Sequence, residues 1–126
     1  GHKNINFEFN KIDDIPPLNL DRQQIKQAII NLVNNAIASI NNDGDILITL
    51  IHDPILKIVR LEVSDNGPGI SDEDKTRLFE PYFSTKKAGM GLGLTIVSAI
   101  VSDHNGMIRV QDNHPRGAKF IIEFQA

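Results

Sequence analysis

The sequence predicts a two-layer α/β sandwich: a mixed, mostly antiparallel five-stranded sheet with helices packed on one face. Three observations carry that prediction. Five segments read as strands. Two long segments carry apolar residues at helical spacing. Each of those helices has a single apolar stripe, so both must bury it against the same layer. There is no internal repeat, low-complexity run or linker, and residues 1–126 read as one domain.

In chain order, Gly1-His2 reads as a tag remnant, and His2 is given no function. Asn4 to Asn10 alternates, with Ile5, Phe7 and Phe9 on one side and Asn6, Glu8 and Asn10 on the other, which predicts a half-buried strand. Pro16-Pro17 marks a loop. Asp21 is placed to cap a helix running to about Ile40, with Ile25, Ile29, Leu32, Val33, Ala36 and Ile40 as its apolar stripe. Asn31, Asn34 and Asn35 are expected on the opposite side, with Asn31 and Asn35 one turn apart. A solvated polar face is the bland alternative. Yet Asn costs about 0.7 kcal/mol against Ala in a helix, and a merely solvated face suits Glu, Lys or Gln better.

Asn41-Asn42-Asp43-Gly44 turns the chain. Ile46–Ile51 and Leu56–Ser64 then read as a hairpin, with His52-Asp53-Pro54 in its turn. Asp65 falls at a strand end, where a side chain can face a pocket while the sheet holds its backbone. Ser71, followed by Asp72, Glu73 and Asp74, opens a short helix expected to reach about Phe79-Glu80-Pro81. Leu94 to about His104 is the second long helix, and Asn105-Gly106 ends it. Met107–Gln111 and Ala118–Gln125 are the last strands, joined by a turn at His114-Pro115-Arg116-Gly117.

Composition narrows the function classes. Apolar content is 40% and formal charge is −3 with no long run of one sign, which argues against a nucleic-acid module, usually basic on one face. With no cysteine, disulfides and cysteine metal sites are excluded. No apolar run approaches the ~18 residues of a membrane span, and no signal peptide is visible.

The chemistry concentrates between Asp65 and Leu94. Asp65-Asn66-Gly67-Pro68-Gly69-Ile70 sets a carboxylate beside two glycines. Phe79-Glu80-Pro81-Tyr82-Phe83-Ser84-Thr85-Lys86 supplies aromatics and a cation. Gly89-Met90-Gly91-Leu92-Gly93-Leu94 leads into an apolar helix, whose start offers unpaired N–H groups to an anion. Together they suit a nucleotide, which needs an anchor for the base, a cover, and a backbone cradle for phosphate. The glycine run is not a P-loop, because no Gly-Lys-Ser/Thr follows. No strand leads into it as a dinucleotide fingerprint requires. The four histidines show no metal-ligand spacing.

Taken together, these segments resemble the catalytic ATP-binding domain of sensor histidine kinases, within the gyrase, chaperone, kinase and mismatch-repair ATPase superfamily (the Bergerat fold). They look closest to kinases of the nitrogen-regulation type. Asn31–Ala36 is similar to the family's N box, Asp65–Gly69 and Gly89–Leu94 to its two glycine boxes, and Leu78–Phe83 to its F box. Gly117-Ala118-Lys119-Phe120 is a weak match to the last box.

The resemblance implies ATP and Mg²⁺ as ligands. Asp65 would accept a hydrogen bond from the exocyclic amine of adenine, with Gly67, Gly69 and Ile70 beside the base and sugar. Asn35 would offer its amide oxygen to Mg²⁺, a hard ion. Asn31 would support phosphate or metal-bound water. Gly89, Gly91, Leu92, Gly93 and Leu94 would form the phosphate cradle. Arg77 and Lys86 are candidates for neutralising the phosphates, with a solvated helix charge as the alternative for Arg77. Phe83 belongs to the nucleotide cover and, with Phe79, anchors it by packing.

Two positions depart from the family pattern: Ser39 replaces a frequent aromatic, and Ala118 a frequent threonine. Hydrolysing members, and the anti-sigma serine kinases, have a glutamate as general base four residues before the metal asparagine. Here that residue is Asn31, which cannot take a proton. Transfer to a histidine on a separate dimerisation domain of the same protein is therefore implied, followed by transfer to a response-regulator aspartate. An ATPase, an anti-sigma-type switch and a non-catalytic nucleotide sensor are the alternatives. The expected setting is cytoplasmic and not membrane-embedded, with a monomeric isolated domain, a homodimeric parent and no nucleic-acid partner.

Overall fold

The computed structural model describes residues 3–12, 14–80 and 90–126, with backbone only at 90–92. Its elements are β1 (Asn4–Lys11), α1 (Arg22–Ser39), β2 (Asp43–Asp53), β3 (Ile58–Asp65), α2 (Asp72–Lys75), α3 (Met90–Asp103), β4 (Met107–Asp112) and β5 (Ala118–Gln125). The sheet order is β1-β2-β3-β5-β4. β1 pairs parallel to β2, and the other three pairings are antiparallel. The mixed, mostly antiparallel sheet expected from the sequence is what forms.

α1 starts where the sequence places it. The Asp21 carboxylate accepts a hydrogen bond from the Gln24 N–H at 3.0 Å, satisfying one orphan donor of the first turn. The most buried line of α1 is Ala28, Leu32 and Ala36, while Ile25, Ile29, Val33 and Ile37 pack at its margins. That line changes the expected geometry of the asparagines. At about 100° per residue, Asn35 sits only about 60° from Leu32. Asn31 and Asn35 are therefore half-buried at the edge of the packed face, and only Asn34 of the three is exposed.

α1 and α3 lie side by side over the sheet, joined through Leu32, Ile46, Val63, Val97, Val101, Phe120 and Ile122 in one core. Ile96, expected on the apolar stripe of α3, is 45% exposed. β1 departs further from expectation. Its alternation is real, but Phe7 and Phe9 remain more than half exposed, because β1 is an edge strand that neither long helix packs closely upon. β2 and β3 form the expected hairpin, with a turn at 54–57 in which Lys57 takes a left-handed backbone (φ 58°).

Two helix boundaries differ from the sequence reading. α2 covers only Asp72–Lys75, capped by the Ser71 hydroxyl, which accepts from the Asp74 N–H at 3.1 Å. Beyond it the Thr76 hydroxyl donates to the Glu73 carbonyl, and the backbone bonds tighten to a three-residue spacing, so the helix does not propagate to Phe79. α3 begins at Met90, so Gly91, Leu92 and Gly93 lie inside its first turn and do not precede it.

The other sheet face carries cross-strand ion pairs. Glu123 on β5 is paired with Arg60 on β3 at 2.9 Å and with Arg109 on β4. Burial pushes the Glu123 carboxyl up, but the hydrogen bonds from the two guanidinium groups outweigh it and hold the group below its ordinary value of 4.5. A depressed native value stabilises the fold above the ordinary value, and that stabilisation is lost as pH falls through the native one. The denaturant midpoint should therefore fall as the pH is taken below the ordinary value of 4.5. Glu123→Gln should start lower and lose less on acidification; parallel curves for the two proteins would assign the acid sensitivity elsewhere.

Candidate functional site

The site is organised by the end of β3. Asp65 is the last residue of that strand, paired in register with Ile46, and is 2% exposed. A buried carboxylate is costly unless it is hydrogen-bonded. Its Oδ1 accepts from the Gly67 N–H at 2.9 Å and from the Ala118 N–H at 3.4 Å. The side chain is thus held from within its own loop and from the start of β5. The departure at Ala118 does not matter to this contact, which uses the backbone.

The loop after Asp65 is pressed against the end of α1. A Cβ built on Gly67 would stand 3.0 Å from the Ser39 carbonyl oxygen and 3.1 Å from Asp65 Oδ1, which leaves room for glycine alone without a shift. Ser39 is small and turns its hydroxyl back to the Ala36 carbonyl at 2.8 Å. Asn66 faces the other way. Its amide oxygen accepts from the Asp45 N–H at 2.7 Å, and its NH₂ donates to the Asp45 carboxylate at 3.1 Å, which locks the loop to the start of β2.

The two asparagines of α1 behave differently. Asn31 donates from Nδ2 to the Gly93 carbonyl at 3.3 Å and accepts from Gln27 at 2.7 Å. It therefore fastens α1 to the first turn of α3, bringing two sequence motifs 62 residues apart into contact. The Asn35 side-chain amide, half-buried on the same face, takes no hydrogen bond among the described residues. A Cβ on Gly93 would meet nothing within 4 Å, whereas Leu94 is buried in the core. Gly69 takes a left-handed backbone and Ile70 packs against the core margin.

Of the remaining sequence-predicted residues, Arg77 is about half exposed, with its Nε 3.2 Å from the Glu80 carboxylate. Phe79 packs edge-on against Phe120, ring centroids 6.4 Å apart, and the Thr95 hydroxyl donates to its carbonyl at 3.3 Å. Phe83, Lys86 and Gly89 lie outside the described residues; Gly91 and Leu92 are described as backbone only. The structure thus brings Asn31, Gly93 and α3 together, and Asp65, Gly67 and the end of α1 together. It does not set the Arg77 guanidinium apart from its acidic neighbour.

The β4–β5 turn falls where the sequence predicts it, but its contacts with the glycine loop were not expected. Asn113 donates from its side chain to the Asp65 carbonyl at 2.8 Å, and Arg116 donates from Nε to the Gly67 carbonyl at 2.9 Å. The only local signal was Gly117, whose φ of +104° suits glycine and whose added Cβ would lie 1.9 Å from the Asp65 carbonyl oxygen. Gly117→Ala should therefore cost about 3 kcal/mol or more, from strain and overlap together. Urea unfolding measures this, and a loss under about 1 kcal/mol would show that the turn relaxes freely.

The family profile described as histidine kinase-, DNA gyrase B- and HSP90-like ATPase matches residues 20–126. The chain belongs to that family. Its architecture is that of the histidine kinase catalytic domain: the catalytic domain of the kinase ThkA, in a nucleotide-free form, is 36% identical with a TM-score of 0.80, over 96% of this chain and 78% of that one. ThkA in complex with the response regulator protein TrrA matches at 35% identity and a TM-score of 0.80, over 96% of this chain and 34% of that one. Full-length ShkA in complex with AMPPNP matches at 29% identity and a TM-score of 0.83, over 97% of this chain and 26% of that one.

Among curated proteins, sporulation kinase E of Bacillus subtilis (strain 168) is 35% identical over 94% of this chain and 16% of its own length. The sensory histidine kinase/phosphatase NtrB of Rhizobium meliloti (strain 1021) is 34% identical over 81% of this chain and 30% of its length. The nitrogen-regulation type is thus one of several comparably similar kinds. The chain spans less than a third of the length of these two relatives. No helix among the described residues is long and apolar enough to cross a membrane.

Proposed function

We propose that residues 1–126 form a single domain that binds Mg-ATP and donates its γ-phosphoryl group to a histidine on a separate dimerisation domain of the same protein. The observation that carries this reading is the buried Asp65 carboxylate, held by two backbone N–H groups at the mouth of a glycine loop. A fixed acceptor there suits the exocyclic amine of adenine and rejects the carbonyl of guanine. The structure of ShkA with AMPPNP, an ATP analogue, supports the same ligand class for this fold.

The residues present fit the metal. Asn35 offers a half-buried amide oxygen with no protein partner among the described residues, the ligand type Mg²⁺ prefers. When bound, the ion supplies charge neutralisation for the phosphates. The chain's own parts do the rest. Asp65, Gly67, Gly69 and Ile70 hold and orient the base. Asn31 fixes the first turn of α3, so that the N–H groups around Gly91–Leu94 face phosphate oxygens, with Gly89 completing the cradle. Arg77 and Lys86 supply cations, Arg77 by releasing Glu80, and Phe83 packs the cover over the nucleotide.

Transfer breaks the bond between the γ-phosphorus and the β–γ bridging oxygen and forms a phosphorus–nitrogen bond to the imidazole, with ADP leaving. Receipt by a response-regulator aspartate is supported by the complex of ThkA with TrrA. A cytoplasmic location, a monomeric isolated domain and a homodimeric parent complete the proposal.

Asn31 separates this reading from a hydrolase. Its amide is engaged with Gln27 and Gly93 and has no basic lone pair for water. With Mg-ATP and no acceptor, phosphate release should stay at the uncatalysed background. Sustained turnover by the chain alone would contradict transfer and favour an ATPase.

A further inference from the structure

We infer that Asn113 and Arg116, in the turn between β4 and β5, are positioning residues that fix the loop carrying Asp65; their link to nucleotide affinity rests on the adenine reading above. Three features converge. The Asn113 amide and the Arg116 guanidinium donate to the carbonyls of Asp65 and Gly67, the two residues that flank Asn66. These are contacts across 48 and 49 residues, so they are not local turn chemistry. The Ala118 N–H, next along the chain, reaches the Asp65 carboxylate itself. Gly117 lies against the Asp65 backbone so closely that no other residue fits. One short turn therefore holds both the backbone and the acid of the base-binding residue.

The turn is itself anchored. The Asn113 N–H donates to the Gly117 carbonyl at 3.0 Å, which closes it. Asp112, just before it, pairs with Lys75 at 2.7 Å, and so with the end of α2. A cleft of about 440 Å³ lies beside the turn and the glycine loop, with Pro68 and Ile70 on one side and His114 and Pro115 on the other, while the two backbones stay close at Gly69, where an added Cβ would stand 3.3 Å from the Gly117 carbonyl oxygen. The Asn66 bonds to Asp45 hold one side of the loop, and the hydrogen bonds from Asn113 and Arg116 hold the other.

Loss of either donor leaves a carbonyl near the pocket without its partner and frees the loop to sample other positions. The expected effect is about tenfold in loop opening, the scale of one net hydrogen bond. Arg116→Met and Asn113→Leu remove the donors, and Arg116→Lys restores a partial one. Hydrogen exchange at the amides of Asn66, Gly67, Gly69 and Ile70 reads the loop without any ligand, and titration with ADP reads its consequence. The expected result is exchange about tenfold faster in the two donor-loss variants, confined to that loop, with partial recovery in Arg116→Lys and ADP affinity falling in parallel. Unchanged exchange at those four amides, or equal acceleration throughout β3, would overturn the assignment. Faster loop exchange in a protein whose wild type binds no adenine nucleotide would leave the positioning role standing and sink the nucleotide reading instead.

Discussion

Asp65→Asn is expected to abolish adenine-nucleotide binding, by about a hundredfold or more, while leaving the domain folded. The two side chains have the same shape, so the change isolates chemistry from packing. Oδ1 is committed to the N–H groups of Gly67 and Ala118, and in the variant the amide oxygen must occupy that place. The NH₂ group then takes the other position and meets the exocyclic amine of adenine as donor against donor. Calorimetric titration with ADP checks the affinity, and thermal unfolding checks the fold. The same variant should lose its preference for adenine over guanine. Undiminished ADP affinity in a folded Asp65→Asn protein would remove Asp65 from the site.

Asn35→Ala is expected to separate binding from chemistry. The side chain has no protein hydrogen bond to lose among the described residues, and Ala is the better helix former by about 0.7 kcal/mol. Stability should therefore hold or rise slightly. Phosphoryl transfer should fall by about a thousandfold, because catalysis of this class rests on positioning and charge neutralisation at the phosphates. Adenosine, which needs no metal, should bind as before. Single-turnover transfer over a range of Mg²⁺ concentrations measures the effect, and full activity at low Mg²⁺ would show that Asn35 does not hold the ion.

Much of this arrangement was legible in the sequence because its signals are local. Asp21 and Ser71 announce their helices through side-chain oxygens that accept from a residue three positions on. Alternation in β3 and β5 marks strands packed on one face, and Asp65 follows directly from where β3 ends. What failed was set by tertiary context. Phe7 and Phe9 alternate as a buried strand would, yet the parallel pairing that puts β1 at the sheet edge depends on β2, about 40 residues away. The glycines at the head of α3 read as a loop by propensity. The helix nevertheless includes them, and Asn31 of α1 fastens that turn from outside. Asn31 and Asn35 lie nearer the buried face than the branched apolar residues suggest, because the small Ala28 belongs to the most buried line of α1 and turns that face towards them. The hold of Asn113 and Arg116 on the glycine loop has no local signature, since its partners lie 48 and 49 residues upstream.

The most direct test of the account follows labelled phosphate from γ-labelled ATP, with Mg²⁺, to the helical dimerisation domain of the parent protein mixed with this chain. The account predicts acid-labile, alkali-stable label on that domain, dependent on both Asp65 and Asn35. Absence of label, with a folded acceptor domain and demonstrated ATP binding, would contradict it and leave a nucleotide-sensing module or an ATPase in its place.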